Sequence, residues 1–460
     1  MVRTRIAPSP TGEDIHIGNL YTAYINWAYA KKNNGQFIVR IEDTDRQRLI
    51  EGSEAKILST LKAFGLEYDE SVDKDGQYGP YRQSERLELY KKYATELISK
   101  DGAYYCTCSK ERLDELRLRQ QSDKKVPKYD KHCLYNKPTI TSSNYVIRLN
   151  VPQNKEIILS DVIRGDITFN TDDIDDQILI KSDGFPTYHM AVVVDDYLMK
   201  ITHVIRAEEW ISSTPKHLLI YESLGWPLPV FAHSPILRNP DKSKLSKRKN
   251  PVWASWYLKE GYLSEAILNY LSLMGWSHPD GKEIFSRDEF INEFSLERVQ
   301  TVGPVFDIKK LEWMNGEYIR KTQDSRLKTQ IYEFFKGKYS EEFVEKTTPL
   351  VQERIKTLKE YDNYCRFFIE RPSQYEMNLL EYKNLLSIIN NQLSTVGDED
   401  WKADVIGQKL QEVAKQEGVP NSKFFMIVRV AVTGKKVTPP LNESMEILGK
   451  EEVLSRLSSF

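Results

Sequence analysis

Apolar positions Leu20, Tyr24, Trp27 and Ala28, with Lys31 continuing the spacing, recur at helical intervals and stop at Asn33-Asn34-Gly35. Before them, Thr4-Arg5-Ile6-Ala7 predicts a short strand. After them, Phe37-Ile38-Val39-Arg40-Ile41 predicts a second. Strand, loop, helix and strand in about forty residues make the βαβ unit of a parallel sheet. Leu263, Ala266, Ile267, Tyr270, Leu271 and Met274 form another helical stripe, read as core rather than as a cofactor contact. Tyr145-Val146-Ile147-Arg148-Leu149 alternates as a strand does. Past Lys321 glycine becomes sparse and long amphipathic segments dominate, among them 401–417, which ends at Gly418 before Pro420. Residues 424–432 alternate little and look strand-like by propensity. There is no internal repeat and no low-complexity tract.

The loop between the first strand and helix is rich in chemistry. Residues 8–18 read Pro-Ser-Pro-Thr-Gly-Glu-Asp-Ile-His-Ile-Gly. Such a loop lies beyond a strand's carboxyl end, where parallel sheets bind ligands. A helix N-terminus there offers free N–H groups and a positive dipole end to a phosphate. His16 can donate to a phosphate oxygen, and Gly18 leaves room for a nucleotide. Taken alone, a His-x-Gly pair equally describes a turn whose histidine caps or packs. A second motif lies more than two hundred residues away. Residues 238–249 read Arg-Asn-Pro-Asp-Lys-Ser-Lys-Leu-Ser-Lys-Arg-Lys, with six basic residues and one acidic. Asn-Pro-Asp marks a turn and the rest reads as an exposed loop. Flexible ammonium groups beside small polar residues suit a triphosphate, whose charge shifts during reaction.

Composition narrows the class. The 460 residues suffice for two to four domains. A net charge of −2 gives no overall basic field, so any nucleic-acid surface must be local. Charged residues make up 29%, and no stretch is long and apolar enough to cross a bilayer. Met1-Val2-Arg3-Thr4 runs straight into the first predicted strand, so neither signal nor transit peptide is expected and the expected location is cytoplasmic. Four cysteines do not suggest a disulfide scaffold. Three of them cluster. Cys106-Thr107-Cys108 is followed by Tyr129-Asp130-Lys131-His132-Cys133, with Glu111, Leu113, Leu116 and Arg119 on a helix between them. Cys-x-Cys with a third cysteine 25 residues on makes a tetrahedral zinc framework of structural type. His132 is the fourth ligand that general zinc chemistry favours; three free thiols are the alternative. Cys365 is isolated and reads as a packed residue.

Together the two loops carry a resemblance. His16-Ile17-Gly18-Asn19 resembles the HIGH signature of class I aminoacyl-tRNA synthetases, and Lys244-Leu245-Ser246-Lys247-Arg248 resembles their KMSKS loop. Arg5-Ile6-Ala7-Pro8-Ser9-Pro10-Thr11-Gly12, Arg40-Ile41-Glu42-Asp43-Thr44-Asp45-Arg46 and Gly79-Pro80-Tyr81-Arg82-Gln83-Ser84-Glu85-Arg86 narrow it to the glutamyl-tRNA synthetases of bacterial type. Asp183-Gly184-Phe185-Pro186-Thr187-Tyr188-His189, Val204-Ile205-Arg206-Ala207-Glu208-Glu209-Trp210 and Gly303-Pro304-Val305-Phe306-Asp307 agree. The resemblance is dense to about residue 320 and thinner after it, closing with Leu448-Gly449-Lys450-Glu451.

The resemblance implies an α/β Rossmann-like parallel-sheet catalytic domain (1–86 and 187–239). It also implies an α+β insertion that binds the acceptor end (87–186) and a helical region opened by the KMSKS loop (240–322). Two all-helical anticodon-binding subdomains follow (323–376 and 377–460). It makes residues 424–432 a buried helix, against their local propensity, and that reading is adopted. An all-helical rear separates such enzymes from glutaminyl relatives, whose anticodon domains are β-barrels, and from short paralogues that lack it.

The implied activity is attachment of L-glutamate to glutamate tRNA through a glutamyl adenylate, with tRNA required for activation. His16, Gly18, Lys244, Ser246 and Lys247 are implied to handle ATP, with His16, Lys244 and Lys247 as the catalytic set. Mg2+ is expected with the triphosphate, without a dedicated protein cage. An anionic side chain needs fixed cations, and arginine can donate two parallel hydrogen bonds to a carboxylate. The resemblance gives the γ-carboxylate to Arg5, Tyr188 and Arg206, and the α-amino group to Ser9 and Glu42. Ala7 joins this set. The alternative makes these arginines ion-pair partners of Glu42-Asp43 and Glu208-Glu209. The zinc-bearing branch of the family implies Tyr129 as fourth ligand beside Cys106, Cys108 and Cys133. Arg354 matches a position that reads the anticodon and favours glutamate over glutamine tRNA; the alternative is a surface arginine on a helix. A monomer is implied, without a membrane partner. Two departures stand out: Asn19 replaces the last HIGH position, and Val192 stands where many relatives carry a small polar residue. The rival functions are an enzyme that also charges glutamine tRNA and an inactive tRNA-binding paralogue. The presence of His16, Lys244, Lys247, Arg5, Glu42 and Arg206 speaks against the second.

Overall fold

The structure is a computed structural model describing residues 1–140, 144–245 and 251–460. The chain forms two compact units, one of residues 1–258 and 264–308, the other of 259–263 and 309–460. Among the described residues the first unit contains nine strands. They are β1 (Arg3–Ile6), β2 (Gln36–Val39), β3 (Ala103–Cys106), β4 (Val146–Leu149), β5 (Glu156–Asp161), β6 (Gly165–Asn170), β7 (Ile178–Ile180), β8 (His203–Ala207) and β9 (Val230–Ser234).

β1, the helix α1 (Ile17–Lys32) and β2 build the predicted βαβ unit, with β1 and β2 parallel from Arg3 opposite Gln36 to Ile6 opposite Val39. Eleven of the sixteen α1 residues are buried, so the sequence stripe marked only one of its packed faces. Lys31 and Lys32 complement the negative end of its dipole. The chain then turns back through Asn34, whose φ is 49°. Gly35 is required there: a Cβ would meet the Val2 carbonyl oxygen at 2.2 Å.

β8 runs beside β1. Thr202 N–H donates to the Arg3 carbonyl at 3.0 Å, and Arg3 N–H donates to Thr202 Oγ1 at 2.8 Å. β8 and β9 are parallel through the helix Thr214–Leu224, and β9 also pairs parallel with β5 at Asp161 opposite Phe231. The β2-β1 pair therefore abuts the sheet β8-β9-β5-β6 at β8, giving the order β2-β1-β8-β9-β5-β6, with antiparallel pairing in the β5–β6 hairpin. β3, β4 and β7 form a separate antiparallel sheet. Residues 87–186 thus supply both this small sheet and the hairpin that widens the main array.

One acidic pair ties these elements together. Helix Tyr188–Leu198 is apolar from Met190 to Val194, then carries buried Asp195 and Asp196. Asp195 accepts from Arg86 Nε at 2.6 Å, Tyr90 Oη at 2.8 Å and Gln83 Nε2 at 2.9 Å. Asp196 accepts from Arg40 at 2.7 Å and takes a two-point contact from Arg5, both at 3.1 Å. Arg40 reaches on to Glu42 at 3.1 Å. Three guanidiniums thus meet three carboxylates inside the fold.

In the second unit every regular element is helical. The helix Ile308–Lys321 belongs to it from Lys309 onward. The amphipathic segment forms Ala403–Gln416. Residues 424–432 lie in the helix Asn421–Thr433, started by Pro420 and stopped by Gly434 at φ 80°. Phe424, Ile427, Val428, Val430, Ala431 and Val432 are fully buried in the helical core. Burial on several sides outweighs a weak strand propensity there.

Replacing Asp195 by alanine leaves Arg86 and part of the Arg40 charge uncompensated in the interior. Unfolding of the first unit is expected to lose about 3–5 kcal/mol, read as a lower urea midpoint at unchanged second-unit transition. A loss below about 1 kcal/mol would place the stability elsewhere.

Candidate active site

The order β2-β1-β8-β9 reverses between β1 and β8, so a crevice opens beyond their carboxyl ends. A cavity of about 730 Å3 occupies it. Arg5, Ala7 and Ser9 enter from β1 and the following loop, Asn19 and Thr22 from α1, Glu42 from beyond β2, Tyr188 from its helix and Arg206 from β8. All six residues expected to hold glutamate line this one cavity. His16 and Gly18 do not line it; they form the start of α1, whose next turn does.

His16 caps α1, its Nδ1 accepting from Gly18 N–H at 3.0 Å. That bond assigns the neutral ring's proton to Nε2. The loop is held from both ends of the sequence. Pro8 carbonyl accepts from Glu42 N–H at 3.0 Å, and Asp14 accepts from Ser255 N–H at 3.0 Å. Ile17 N–H donates to the Val252 carbonyl at 2.7 Å, and His16 pairs with Trp253. A Cβ on Gly12 would lie 2.7 Å from the Trp253 ring. The segment leaving the basic loop is therefore built onto the first loop, which joins the two sequence motifs in space. Lys244 is exposed and forms an ion pair with Glu209, which lines the cavity. Ser246 and Lys247 lie outside the described residues.

The two arginines differ in their partners. Arg5 is neutralised by Asp196, not by Glu42-Asp43. Arg206 is buried yet has no carboxylate within ion-pair distance among the described residues. Its Nε donates to His233 Nε2 at 3.0 Å, and its terminal nitrogens donate to Thr214 Oγ1 at 2.7 Å, Tyr188 Oη at 3.2 Å and His217 Nδ1 at 3.3 Å. Glu208 pairs instead with Arg164 and Arg238, so the acid-pair alternative is realised for neither arginine. Burial lowers the pKa of Arg206, the mark of a cation short of compensation. Burial raises Tyr188, which stays a neutral phenol with its ring 4.3 Å from that of Trp210 and tilted 31° to it. Burial also raises Glu42, with Arg40 opposing the shift. Val192 sits in the core and does not line the cavity.

Sequence reading missed Asp196, Trp210, Thr214, His217 and His233. Asp195-Asp196 carried a signal, since two acids ending an apolar helix run must find buried partners. The histidines carried none, being isolated residues in apolar strands or helices.

Cys106, Cys108 and Cys133 place their sulfurs within 4.8 Å of one another, with Cys108 and Cys133 at 3.5 Å. Tyr129 Oη lies 3.4 Å from Cys106 Sγ and 3.2 Å from Cys108 Sγ. Zinc–sulfur bonds of about 2.3 Å give tetrahedron edges of about 3.8 Å, so three thiols and a phenol at these spacings fit one zinc ion. Arg148 lies 4.2 Å over the Tyr129 ring in a cation–π contact. His132 is exposed and bonded to Asn136, outside the group. In the second unit Arg354 stands in the turn after helix Glu341–Val351 rather than on a helix. It lines a cavity of about 410 Å3 with Lys356, Tyr364 and Lys435. No helix among the described residues is long and apolar enough to cross a membrane.

Comparisons with known proteins agree with this geometry. Residues 1–313 match the model of the class I tRNA synthetase catalytic domain (E and Q), and residues 319–460 match an anticodon binding domain. A glutamate–tRNA ligase of Acidothermus cellulolyticus is 44% identical over 99% of this chain and 94% of its own. One from Fusobacterium nucleatum is 43% identical over 100% and 97%. A crystal structure of a glutamate tRNA ligase from Elizabethkingia meningosepticum, in complex with its amino acid, superposes with a TM-score of 0.86 at 35% identity, covering 99% of this chain and 98% of that one. With both units matched and the crevice formed by the expected residues, the chain belongs to the glutamate–tRNA ligase family of class I tRNA synthetases.

Proposed function

We propose that this protein attaches L-glutamate to the 3′ end of glutamate tRNA, with ATP as co-substrate. The carrying observation is Arg206, a buried guanidinium met only by neutral groups in a cavity large enough for an amino acid. A buried cation without a counter-charge is costly, and a substrate anion removes that cost. The γ-carboxylate of glutamate supplies it, with Arg5 and Tyr188 completing the cradle. A glutamine amide would turn its NH2 toward guanidinium N–H groups and leave the charge unmatched. Ser9, Ala7 and Glu42 face the α-amino end, Glu42 as the carboxylate that an ammonium group needs.

The α-carboxylate oxygen then attacks the α-phosphorus of ATP, and the bond to the β-phosphate breaks to release pyrophosphate. No protein nucleophile takes part; the chain positions reactants and neutralises phosphate charge. His16 offers its Nε2 proton, Gly18 an unobstructed approach and the α1 N-terminus its N–H groups. Lys244, Ser246 and Lys247 serve the leaving pyrophosphate, with Mg2+ entering as part of the nucleotide. In the second step a terminal ribose hydroxyl attacks the acyl carbon and AMP leaves. Tyr129 and the three cysteines would hold one structural zinc beside the β3–β4–β7 sheet. Arg354 belongs to the anticodon-reading face of the second unit, favouring glutamate tRNA over glutamine tRNA.

Labelled glutamate offered to purified glutamate tRNA and glutamine tRNA side by side tests this directly. Charging of the first alone is expected. Charging of both makes the enzyme non-discriminating, and charging of neither overturns the function. Exchange of pyrophosphate into ATP should be near zero with glutamate alone and appear on adding tRNA; full exchange without tRNA contradicts the tRNA requirement. The intact protein should bind about one zinc per chain, and Cys106→Ser and Cys133→Ser should each abolish it. Zinc content equal to that of the parent chain rules the site out.

A further inference from the structure

The groups that hold Arg206 are themselves held. His233, on β9, accepts from Arg206 Nε at its Nε2, 3.0 Å away. Its Nδ1 faces Asp161 Oδ2 at 2.6 Å. A ring that accepts at Nε2 and meets a carboxylate at Nδ1 carries its single proton on Nδ1. Asp161 ends β5, and its Oδ1 accepts the Ile163 and Arg164 N–H groups at 3.0 Å each. Its Oδ2 accepts His233 N–H at 3.0 Å as well. The carboxylate is thus fixed by backbone donors before it touches the imidazole. Both side chains are fully buried.

We propose that Asp161 and His233 are positioning residues for amino-acid selection, holding Arg206 through a neutral imidazole so that no carboxylate contacts the guanidinium and its charge stays available to the substrate side chain. The inference rests on the crevice being the glutamate site. A carboxylate placed directly on Arg206 would orient it equally well but would cancel the charge, as Asp196 does for Arg5. The pocket would then tolerate a neutral amide. The intervening ring separates orientation from neutralisation. His217 extends the same arrangement, its Nδ1 accepting from Arg206 at 3.3 Å and its Nε2 lying 3.1 Å from His189 Nδ1. Burial keeps His189, His217 and His233 below their ordinary pKa values, in line with neutral acceptors. This gives the β5–β6 hairpin a role in the site. Its pairing with β9 at Asp161 and Phe231 sets the carboxylate beside His233.

Asp161→Asn has a specific consequence. The amide has one oxygen, so it either abandons the loop N–H groups or presents NH2 to His233 Nδ1. In the second case the ring proton moves to Nε2 and points at a guanidinium N–H. The same logic applies wherever a carboxylate fixes a histidine tautomer. His233→Gln keeps an acceptor near Arg206, whereas His233→Ala removes it.

Steady-state aminoacylation with the full chain is measured for these three variants and for Arg206→Lys as reference. The side-chain 15N spectrum of His233 is recorded in parent and Asp161→Asn proteins. Expected are a glutamate KM raised about tenfold or more in His233→Ala and Asp161→Asn, ATP and tRNA KM values within about twofold, and substantial recovery in His233→Gln. The His233 ring is expected to be Nδ1-protonated in the parent and to lose that state in Asp161→Asn. If Arg206→Lys raises the glutamate KM but His233→Ala and Asp161→Asn do not, the positioning role is wrong and the glutamate site stands. If Arg206→Lys leaves it unchanged, the glutamate reading itself fails. An Nε2-protonated His233 in the parent overturns the proposal even where a variant does not fold.

Discussion

Buried charge has to be matched close by, and this requirement organises the first unit. Asp195 and Asp196, adjacent on one helix, gather arginines from β1, from beyond β2 and from the turn before helix Leu87–Ser99. These three segments are distant in sequence, and hydrophobic contact alone would let them slide. A charged hydrogen bond at 2.6–3.1 Å does not. The network therefore sets the place of Arg5 and, through Arg40, that of Glu42. Two of the cavity's polar groups are positioned by an interaction that never touches a ligand.

Arg206 is the exception, and the contrast gives it meaning. Arg5 and Arg206 sit at the ends of neighbouring strands β1 and β8, where the order of the sheet reverses and the crevice is forced open. One guanidinium is neutralised, the other left as net charge. With both neutralised, the cavity would select for shape alone, and glutamate and glutamine have nearly the same shape. With both bare, two like charges would face each other in a buried space, at a cost larger than one carboxylate returns. One compensated and one uncompensated arginine give a two-cation cradle with a single charge to fill.

Much of this was legible in the sequence. The βαβ unit, the helical stripe from Leu263 to Met274 and the amphipathic rear helices follow from spacing, because each buries a face whose period the chain displays. The six cradle residues came from a resemblance in short words and fell together in space. Local propensity alone would have made 424–432 a strand. Its β-branched residues form a helix because the surrounding helices bury them all round. The histidines about Arg206 were illegible for a different reason. Their role depends on pairings between separate elements, Asp161 with His233 across 72 residues and Arg206 with His233 across 27, that no periodicity records. The cap formed by His16 shows the limit from the other side. The bland reading of that residue is realised, and the bond that realises it is also what puts the ring proton on Nε2.

Two selections have to be kept apart. In the proposed reading the charge on Arg206 distinguishes glutamate from glutamine, whereas both tRNAs present the same terminal ribose to the same adenylate. Rejection of glutamine tRNA therefore has to be decided where the two nucleic acids differ. The proposed place is the second unit's cavity, where Arg354, Lys356 and Lys435 stand beside Glu312 and Glu360. A single arginine donating to a base edge is worth about 1–3 kcal/mol of discrimination. That is enough to bias charging by one to two orders of magnitude, while the amino acid itself remains fixed by the crevice. If the proposed roles hold, a change at Arg354 alters which tRNA is charged without altering what is attached, and a change at Arg206 does the reverse.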